Sequence, residues 1–389
     1  MRTRGVVGAI TVLVMIALTG CAAADGPAAE GITSPSPTAE GSPSPIPAST
    51  PPSSAEGAGA PSVPTTPLPL SCADLIDAAD VAAVVGDGAV AEPEQAAFGI
   101  GAPRLAAVVD AGGWRCVLAN QTGLGAGNFY PEDYRGMIVQ ILPDGATDPR
   151  ADWAQMLEYY GTDESGFESE VIPEPLIGRC FEGGCELDFI IGSYWVEISA
   201  RAPAGGTPEG AADRFLLLAE RIAGLLTSPA ASAEPTPTSA QEAPSCEALV
   251  DPVAARDAAE LPTDIDVNSP HGGWSLAAGS WNMAPLAACM VIQTGTEHSY
   301  GAVEFMPGGA WALPMIEAAH PDGVVESIEG TDRAVFSCVD GQHGGCRIDA
   351  AVDGAWLQVQ LFDEVVPDRA DAARRLAALA AVVVGNLTA

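Results

Sequence analysis

Cysteine is the residue type in this sequence whose number and spacing most clearly suggest chemistry. The chain has nine cysteines, and eight of them fall into two similarly spaced sets of four. The first set is Cys72, Cys116, Cys180 and Cys185, and the second is Cys246, Cys289, Cys338 and Cys346. A Cys₄ zinc site needs two closely spaced pairs, and a redox pair uses the C-x-x-C spacing. Each set has one close pair, with four and seven intervening residues, so the spacing favours a disulfide framework.

Four cysteines in each set allow three possible disulfide connectivities. The close pairs flank Gly-rich segments that suggest hairpin tips, where opposed strand residues come within disulfide range. We therefore favour Cys72–Cys116 with Cys180–Cys185, and Cys246–Cys289 with Cys338–Cys346. The long pairs then tie the first helical segment of each set to a strand.

The ninth cysteine, Cys21, ends a segment typical of an export signal. Two arginines precede an apolar run at residues 6–18, which is shorter than the roughly 20 residues of a spanning helix. The run ends in Leu18-Thr19-Gly20-Cys21, which resembles a bacterial lipobox. The resemblance implies transfer of diacylglycerol to the Cys21 thiol and cleavage before it, leaving a palmitate-type acyl anchor. The alternative is an ordinary secretory signal with a chance cysteine.

Localisation follows from these residues. We expect a lipid anchor in the cytoplasmic membrane, with the rest of the chain facing outside the cytoplasm. Oxidising conditions there permit disulfides, and a lipidated Cys21 leaves an even number of cysteines to pair.

The segments that carry the cysteines repeat along the chain. Cys116 and Cys289 differ by 173 residues, and Cys185 and Cys346 differ by 161, as do Trp195 and Trp356. Trp153 and Trp311 share the 158-residue offset of Cys180 and Cys338. The sequence therefore predicts a tandem duplication.

Two Pro/Ser/Thr/Ala-rich segments separate the predicted parts of the chain. They cannot bury enough apolar surface to offset the entropy lost on ordering, so we predict an extended tether and a linker. The expected organisation is residues 1–20 as lipoprotein signal peptide, 21–70 as disordered tether, 71–227 as first repeat, 228–244 as linker and 245–389 as second repeat.

Within each repeat, the apolar periods predict the order α-β-β-α-β-β-α, with residues 189–200 and 355–362 each forming one strand. Asp251-Pro252 is typical of an N-cap and first helical residue, and Asp77 occupies the matching position. The closing helices have one apolar face each, formed by Ala211, Phe215, Leu218 and Ile222 and by Ala372, Leu376, Leu379 and Val383. We predict an α+β fold in each copy, with an antiparallel sheet and helices packed on one face.

Charge and composition exclude several function classes. The 51 acidic residues outnumber 16 basic ones, all of them Arg, for a net charge of −35. Binding of nucleic acid needs a basic face, and the absence of Lys excludes a Walker A loop or a lysine Schiff base. All four histidines lie in the second repeat, so the repeats share no histidine chemistry. We predict no enzyme, no cofactor and no metal.

Other motifs have weaker matches to known sites. Asp264, Asp266 and Asn268 open like a calcium loop but lack its sixth-position Gly and twelfth-position Glu. Gly273-Trp274-Ser275 lacks the frame of a nucleophile elbow. The tryptophans shared by both copies predict core packing. We place Trp274 and Trp281 in an unmatched, Gly-rich loop of the second copy, where they are candidates for partner contact.

The openings of the two repeats resemble those of a broad actinobacterial type. They are Cys72-Ala73-Asp74-Leu75-Ile76-Asp77 and Cys246-Glu247-Ala248-Leu249-Val250-Asp251, each followed by a cysteine-bearing strand. With the lipobox and tether, they resemble small actinobacterial cell-envelope lipoproteins of uncharacterised function. More loosely, they resemble extracellular sensor domains of mycobacterial serine/threonine kinases. The resemblance implies an α+β sandwich with a groove, two intradomain disulfides and an unidentified ligand, although this chain has no kinase domain.

Function is therefore expected to be that of a non-catalytic binding or sensor-like module with an unknown envelope ligand or protein partner. Tandem copies would raise avidity for a repeated ligand. Two alternatives are a structural or accessory subunit of an envelope complex, and a wall-polymer hydrolase that acts through paired carboxylates.

Overall fold

The structure is a computed structural model, which describes part of the chain. The described residues are 70–86, 102–119, 135–143, 153–154, 157–158, 166–202, 209–227, 242–269, 276–296, 298–320, 322–339, 345–362, 365 and 368–388. All of them belong to one compact unit, Ala58–Ala389. The signal peptide, Cys21 and almost all of the tether lie outside the described residues. Residues 228–241 of the linker lie outside them as well.

The first repeat contains four helices and five strands among its described residues. They are α1 Cys72–Leu75, α2 Ala78–Val85, α3 Pro103–Asp110, β1 Trp114–Ala119, β2 Gly136–Pro143, β3 Ile177–Phe181, β4 Gly184–Ile191, β5 Tyr194–Arg201 and α4 Ala211–Leu226.

The second repeat has the same order, with two additional strands, a 3₁₀ turn and one additional helix among its described residues. Its elements are α5 Cys246–Leu249, α6 Pro252–Ala258, β6 Ile265–Asn268, α7 Leu276–Met283, β7 Ala287–Gln293, β8 Ser299–Met306, a 3₁₀ turn Gly309–Ala312, α8 Leu313–Ala319, β9 Val324–Glu326, β10 Arg333–Val339, β11 Gly345–Val352, β12 Ala355–Phe362 and α9 Arg369–Thr388.

Each repeat builds one antiparallel sheet, as the sequence predicts. The strand order is β1-β2-β5-β4-β3 in the first sheet and β6-β7-β8-β12-β11-β10-β9 in the second. The central five strands of the second sheet repeat the order of the first, and β6 and β9 add one strand at each edge. The predicted α+β class is therefore confirmed.

One predicted strand is wrong. Residues 189–200 form parts of two strands, because the chain turns at Gly192 and Ser193 between β4 and β5. Gly192 has φ 59°, in the left-handed region that favours glycine at such a turn. The second copy makes the equivalent turn at Asp353 and Gly354, with φ 48° and 77°. The first sheet consequently has three strands, β3, β4 and β5, in the part of the chain before α4.

The predicted helix starts are confirmed. Asp77 accepts a hydrogen bond from the Asp80 N–H at the start of α2, and Asp251 accepts from the Val253 and Ala254 N–H groups before α6. Ser71 caps a separate single turn, α1. The apolar faces of α4 and α9 are buried against one face of their own sheets, so the last apolar stretch of the chain is a core helix.

The disulfides follow the predicted pairing. The bonded pairs are Cys72–Cys116, Cys180–Cys185, Cys246–Cys289 and Cys338–Cys346. The long bridges tie α1 to β1 and α5 to β7, and the short ones join cross-strand partners of the hairpins β3–β4 and β10–β11. Loops of 44 and 43 residues are closed by the long bridges, which the chain-entropy model values at about 4 kcal/mol each.

Candidate functional site

The second face of each sheet packs against a helix from the other repeat. Helix α3 belongs to the first copy, yet its Ala106 and Val109 pack in one cluster with Met306 and Trp356 of the second sheet. Helix α7 belongs to the second copy, and its Leu276 packs with Leu142 and Trp195 of the first sheet. We call this reciprocal arrangement the inter-copy contact.

The two helices of the inter-copy contact are equivalent. Pro103 and Leu276 differ by 173 residues, as do Asp110 and Met283, which is the offset of Cys116 and Cys289. The helices also pack against each other. This is a contact in which each copy supplies the same element to the other.

Close packing at α7 depends on a glycine. A Cβ built on Gly279 would lie 3.1 Å from Cζ3 of Trp195 and 3.6 Å from Cδ2 of Leu142. Both neighbours are fully buried, so they have little freedom to move aside. Gly279 therefore allows α7 to lie directly on the indole of the other copy.

Each of the two helices begins at a carboxylate of the other copy. The Arg104 N–H in the first turn of α3 donates to Glu304 Oε2 at 3.0 Å, and the Arg104 guanidinium forms an ion pair with the same carboxylate. The Leu276 N–H at the start of α7 donates to the Glu197 carboxylate. Carboxylates are favourable there because the unpaired N–H groups and the helix dipole are positive.

The two capping carboxylates stand on different strands of their sheets. In the first copy, Gln140 on β2 lies opposite Glu197 on β5. In the second copy, the acid is Glu304 on β8 and the amide is Gln358 on β12. Each sheet thus presents one Glu and one Gln to the arriving helix, with their positions exchanged.

A tryptophan–aspartate pair is common to both sheets. Trp195 Nε1 donates to Asp188 Oδ1 at 3.1 Å, and Trp356 Nε1 donates to Asp349 Oδ1 at 3.0 Å. Both indoles are fully buried, so each N–H needs an acceptor. Trp153 packs edge-on against Trp195, with 5.9 Å between ring centroids. The predicted core role of the shared tryptophans is therefore confirmed.

In the second copy, the aspartate of this pair is neutralised by neighbours. Arg347 Nε lies 3.0 Å from Asp349 Oδ2, and both side chains are almost fully buried. Gln358 Nε2 donates to Asp349 Oδ1 at 2.7 Å. His320 Nε2 lies 2.8 Å from Arg347 Nη2, and burial, then the positive charge of Arg347, lowers the pKa of the imidazole.

In the first copy, the equivalent aspartate faces a second acid. Asp188 on β4 is the cross-strand partner of Glu197 on β5. Burial raises the pKa of Asp188 well above its usual range, and the negative charge of Glu197 raises it further. Burial also raises the pKa of Glu197, although hydrogen bonding from Gln140 and the charge of Arg115 act in the opposite direction.

Glu197 accepts the last hydrogen bond of a chain that begins at Arg115 and passes through Gln140. Arg115 Nη1 donates to Gln140 Oε1 at 2.7 Å, and Gln140 Nε2 donates to Glu197 Oε1 at 2.9 Å. Arg115 and Gln140 are buried. The first copy therefore directs its donors to Glu197, which is the capping acid.

Trp281 is not in a loop, so its predicted loop placement is wrong. It lies in α7, packs against the cluster that contains Trp195, and donates from Nε1 to the Arg104 carbonyl oxygen at 3.2 Å. The mistake arose because the local sequence does not show that α7 is equivalent to α3. Trp274 lies outside the described residues.

The remaining sequence candidates are not brought together. Asp266 and Asn268 lie in strand β6, and Asp264 pairs with Arg256. His298 is exposed at the start of β8, whereas His271 and His343 lie outside the described residues. Within the described ranges, no three His, Cys, Asp or Glu side chains are arranged to hold a metal ion. None of the described helices is both long and apolar enough to cross a membrane.

Sequence reasoning missed the inter-copy contact, although one signal pointed to it. Every residue of β2 is buried, on both faces of the strand, whereas an antiparallel strand with one wet face alternates. The run from Gly136 to Pro143 has only one polar side chain, Gln140, which is unusually few for a half-exposed strand.

Comparisons of the chain with protein-family models, with curated proteins and with solved structures give no match.

Proposed function

We propose that this chain is an exported lipoprotein, anchored through Cys21, whose two copies act as one rigid, non-catalytic body that binds a partner in the cell envelope. The inter-copy contact carries the second half of this proposal. It fixes the two copies at a constant spacing, as a bivalent or extended binding surface requires. Four disulfides support the first half, because such bridges persist in oxidising compartments.

The use of the polar groups favours binding over catalysis. The buried carboxylates of Asp349 and Glu304 and the partly buried carboxylate of Glu197 accept hydrogen bonds from indole, amide or helix N–H groups. An enzyme site needs acids or nucleophiles that converge on an open cleft. In this chain Glu304 and Glu197 join the two copies. Helices α4 and α6, which carry the exposed Leu217 and Val253, are left to meet a partner.

The anchor is tested by replacing Cys21. Cells are fed an alkyne-bearing fatty acid, and the chain is compared with its Cys21→Ser variant. We expect the native chain to be labelled and to fractionate with membranes, and the variant to lose both properties. Equal labelling of the two chains would contradict lipidation at Cys21.

The partner is tested by photo-crosslinking in living cells. A photoreactive residue is placed at Leu217 on α4 or Val253 on α6, whose side chains are 56% and 63% exposed. The control places it at Arg104, inside the inter-copy contact, where only an intramolecular link is expected. Defined adducts from Leu217 or Val253 would support binding. Absence of adducts across the exposed surface, or turnover of wall polymers by the purified chain, would contradict the proposal.

A further inference from the structure

Two carboxylates face each other across β4 and β5 in the first copy, where the second copy has a carboxylate and an amide. Asp188 is paired in register with Glu197, and Asp349 with Gln358. In the second copy, Gln358 donates an N–H to Asp349 at 2.7 Å. Two ionised carboxylates have no hydrogen to donate, so the side chains of the first copy can form a hydrogen bond with each other only if one of them carries a proton.

The charges around this pair come from several elements. Among the described residues, β4 contributes Glu186, which raises the pKa of both carboxyls, and β1 contributes Arg115, which lowers that of Glu197. Arg201 on β5 and Arg179 on β3 both pair with Glu186. Helix α7 presents the Leu276 N–H to Glu197.

The donors are divided unequally between the two carboxylates. Glu197 accepts hydrogen bonds from Gln140 and from the Leu276 N–H, whereas Asp188 accepts one from the indole N–H of Trp195. Ionising both of two directly opposed, partly buried carboxyl groups is unfavourable, because the two negative charges repel each other. This division of donors favours an ionised Glu197 and a protonated Asp188.

We propose that Asp188 and Glu197 hold one proton between them and that this proton controls how firmly α7 of the second copy is held on the first sheet. With the proton bound, Asp188 is neutral and Glu197 caps α7 as a single negative charge. When the proton leaves to water, two negative charges face each other beneath the helix. Because both side chains are only partly buried, water can accept the proton and then separate helix from sheet.

The direction of the pH effect follows from proton linkage. The folded pair keeps a proton that the unfolded chain, with ordinary carboxyl pKa values near 4, has already lost. The folded state therefore binds more protons in this range, and stability falls as pH rises from about 4 until the pair is fully ionised. Below about 4, both states are protonated and this contribution is fully present.

The experiment measures Tm and deuterium uptake of the α7 peptide in the full chain from pH 4 to pH 8, with its four disulfides closed. The main variant is Glu197→Gln, which introduces the residue of the second copy. We expect its Tm at pH 7.5 to exceed that of the native chain by roughly 2–6 °C, and the fall of Tm with pH to flatten. The rise of uptake with pH, corrected for intrinsic exchange, should also disappear from α7.

Two further variants make the result decisive. Asp188→Asn keeps an acceptor for the Trp195 N–H and should also flatten the pH profile, which covers a failure of Glu197→Gln to fold. Glu186→Gln removes an acid from the same sheet face, with 40% of its side chain exposed, and should leave most of the slope. Parallel profiles for the native chain and both pair variants would overturn the proposal. So would equal flattening by Glu186→Gln, since the effect would then be one of net charge.

Discussion

The two copies share a fold and four cysteine positions but differ in the charges beneath their inter-copy contact. At three matched positions, related by the 161-residue offset, the first copy has Glu186, Asp188 and Glu197, and the second has Arg347, Asp349 and Gln358. Only the aspartate and its tryptophan partner are the same. The fold therefore requires an acceptor for the buried indole N–H. The flanking residues decide whether the negative charge of that carboxylate is balanced by an arginine or removed by a proton.

The largest effect should come from removing the arginine of the second copy. Arg347→Met would leave Asp349 buried without its cation, and breaking a buried pair in this way costs roughly 3–5 kcal/mol. The matched change in the first copy, Glu186→Met, should be close to neutral or slightly stabilising, because Glu186 repels the two nearby acids. Denaturant unfolding of both variants at pH 7 checks the comparison. Equal losses would show that the two positions are not different in kind.

The short disulfides should make a smaller and more even contribution. Replacing Cys180 and Cys185 together by Ala opens a loop with a sequence separation of 5, and replacing Cys338 and Cys346 opens one of 8. The chain-entropy model gives about 2 kcal/mol for each, slightly more for the second. Unfolding of the two double variants under one set of conditions measures it. A loss several times larger in one copy would indicate that its hairpin has a further role.

The stability lost on removing a helix cap should differ least between the copies. Asp77→Ala removes a cap of α2, and Asp251→Ala removes the cap of α6; each should cost about 1 kcal/mol. Asn at either position would keep a side-chain acceptor and should restore most of the stability. If the Asn variants were as unstable as the Ala variants, capping would not be the cause of the loss.

The elements that could be predicted from sequence are those whose partners lie within the same copy. The disulfide pairs follow from spacing and hairpin tips, and the buried faces of α4 and α9 follow from a period set by their own sheets. Helices α3 and α7 could not be found in this way, because the surface that buries Ala106 or Gly279 belongs to the other copy. Isolated polar residues on the strands, such as Gln358 and Arg347, suggest by alternation a solvent-exposed sheet face, yet both are buried.

The inter-copy contact also has a consequence for how the chain arose. When each half gives the same helix to the sheet of the other, the contact has the form of the isologous interface of a two-fold homodimer. In such a homodimer one sequence must be complementary to itself. Once two such subunits are joined in one gene, each half can change independently of the other. The exchanged Glu and Gln positions on the two sheets fit this history, since a single capping acid in each half suffices and a mutation in one half no longer appears in both.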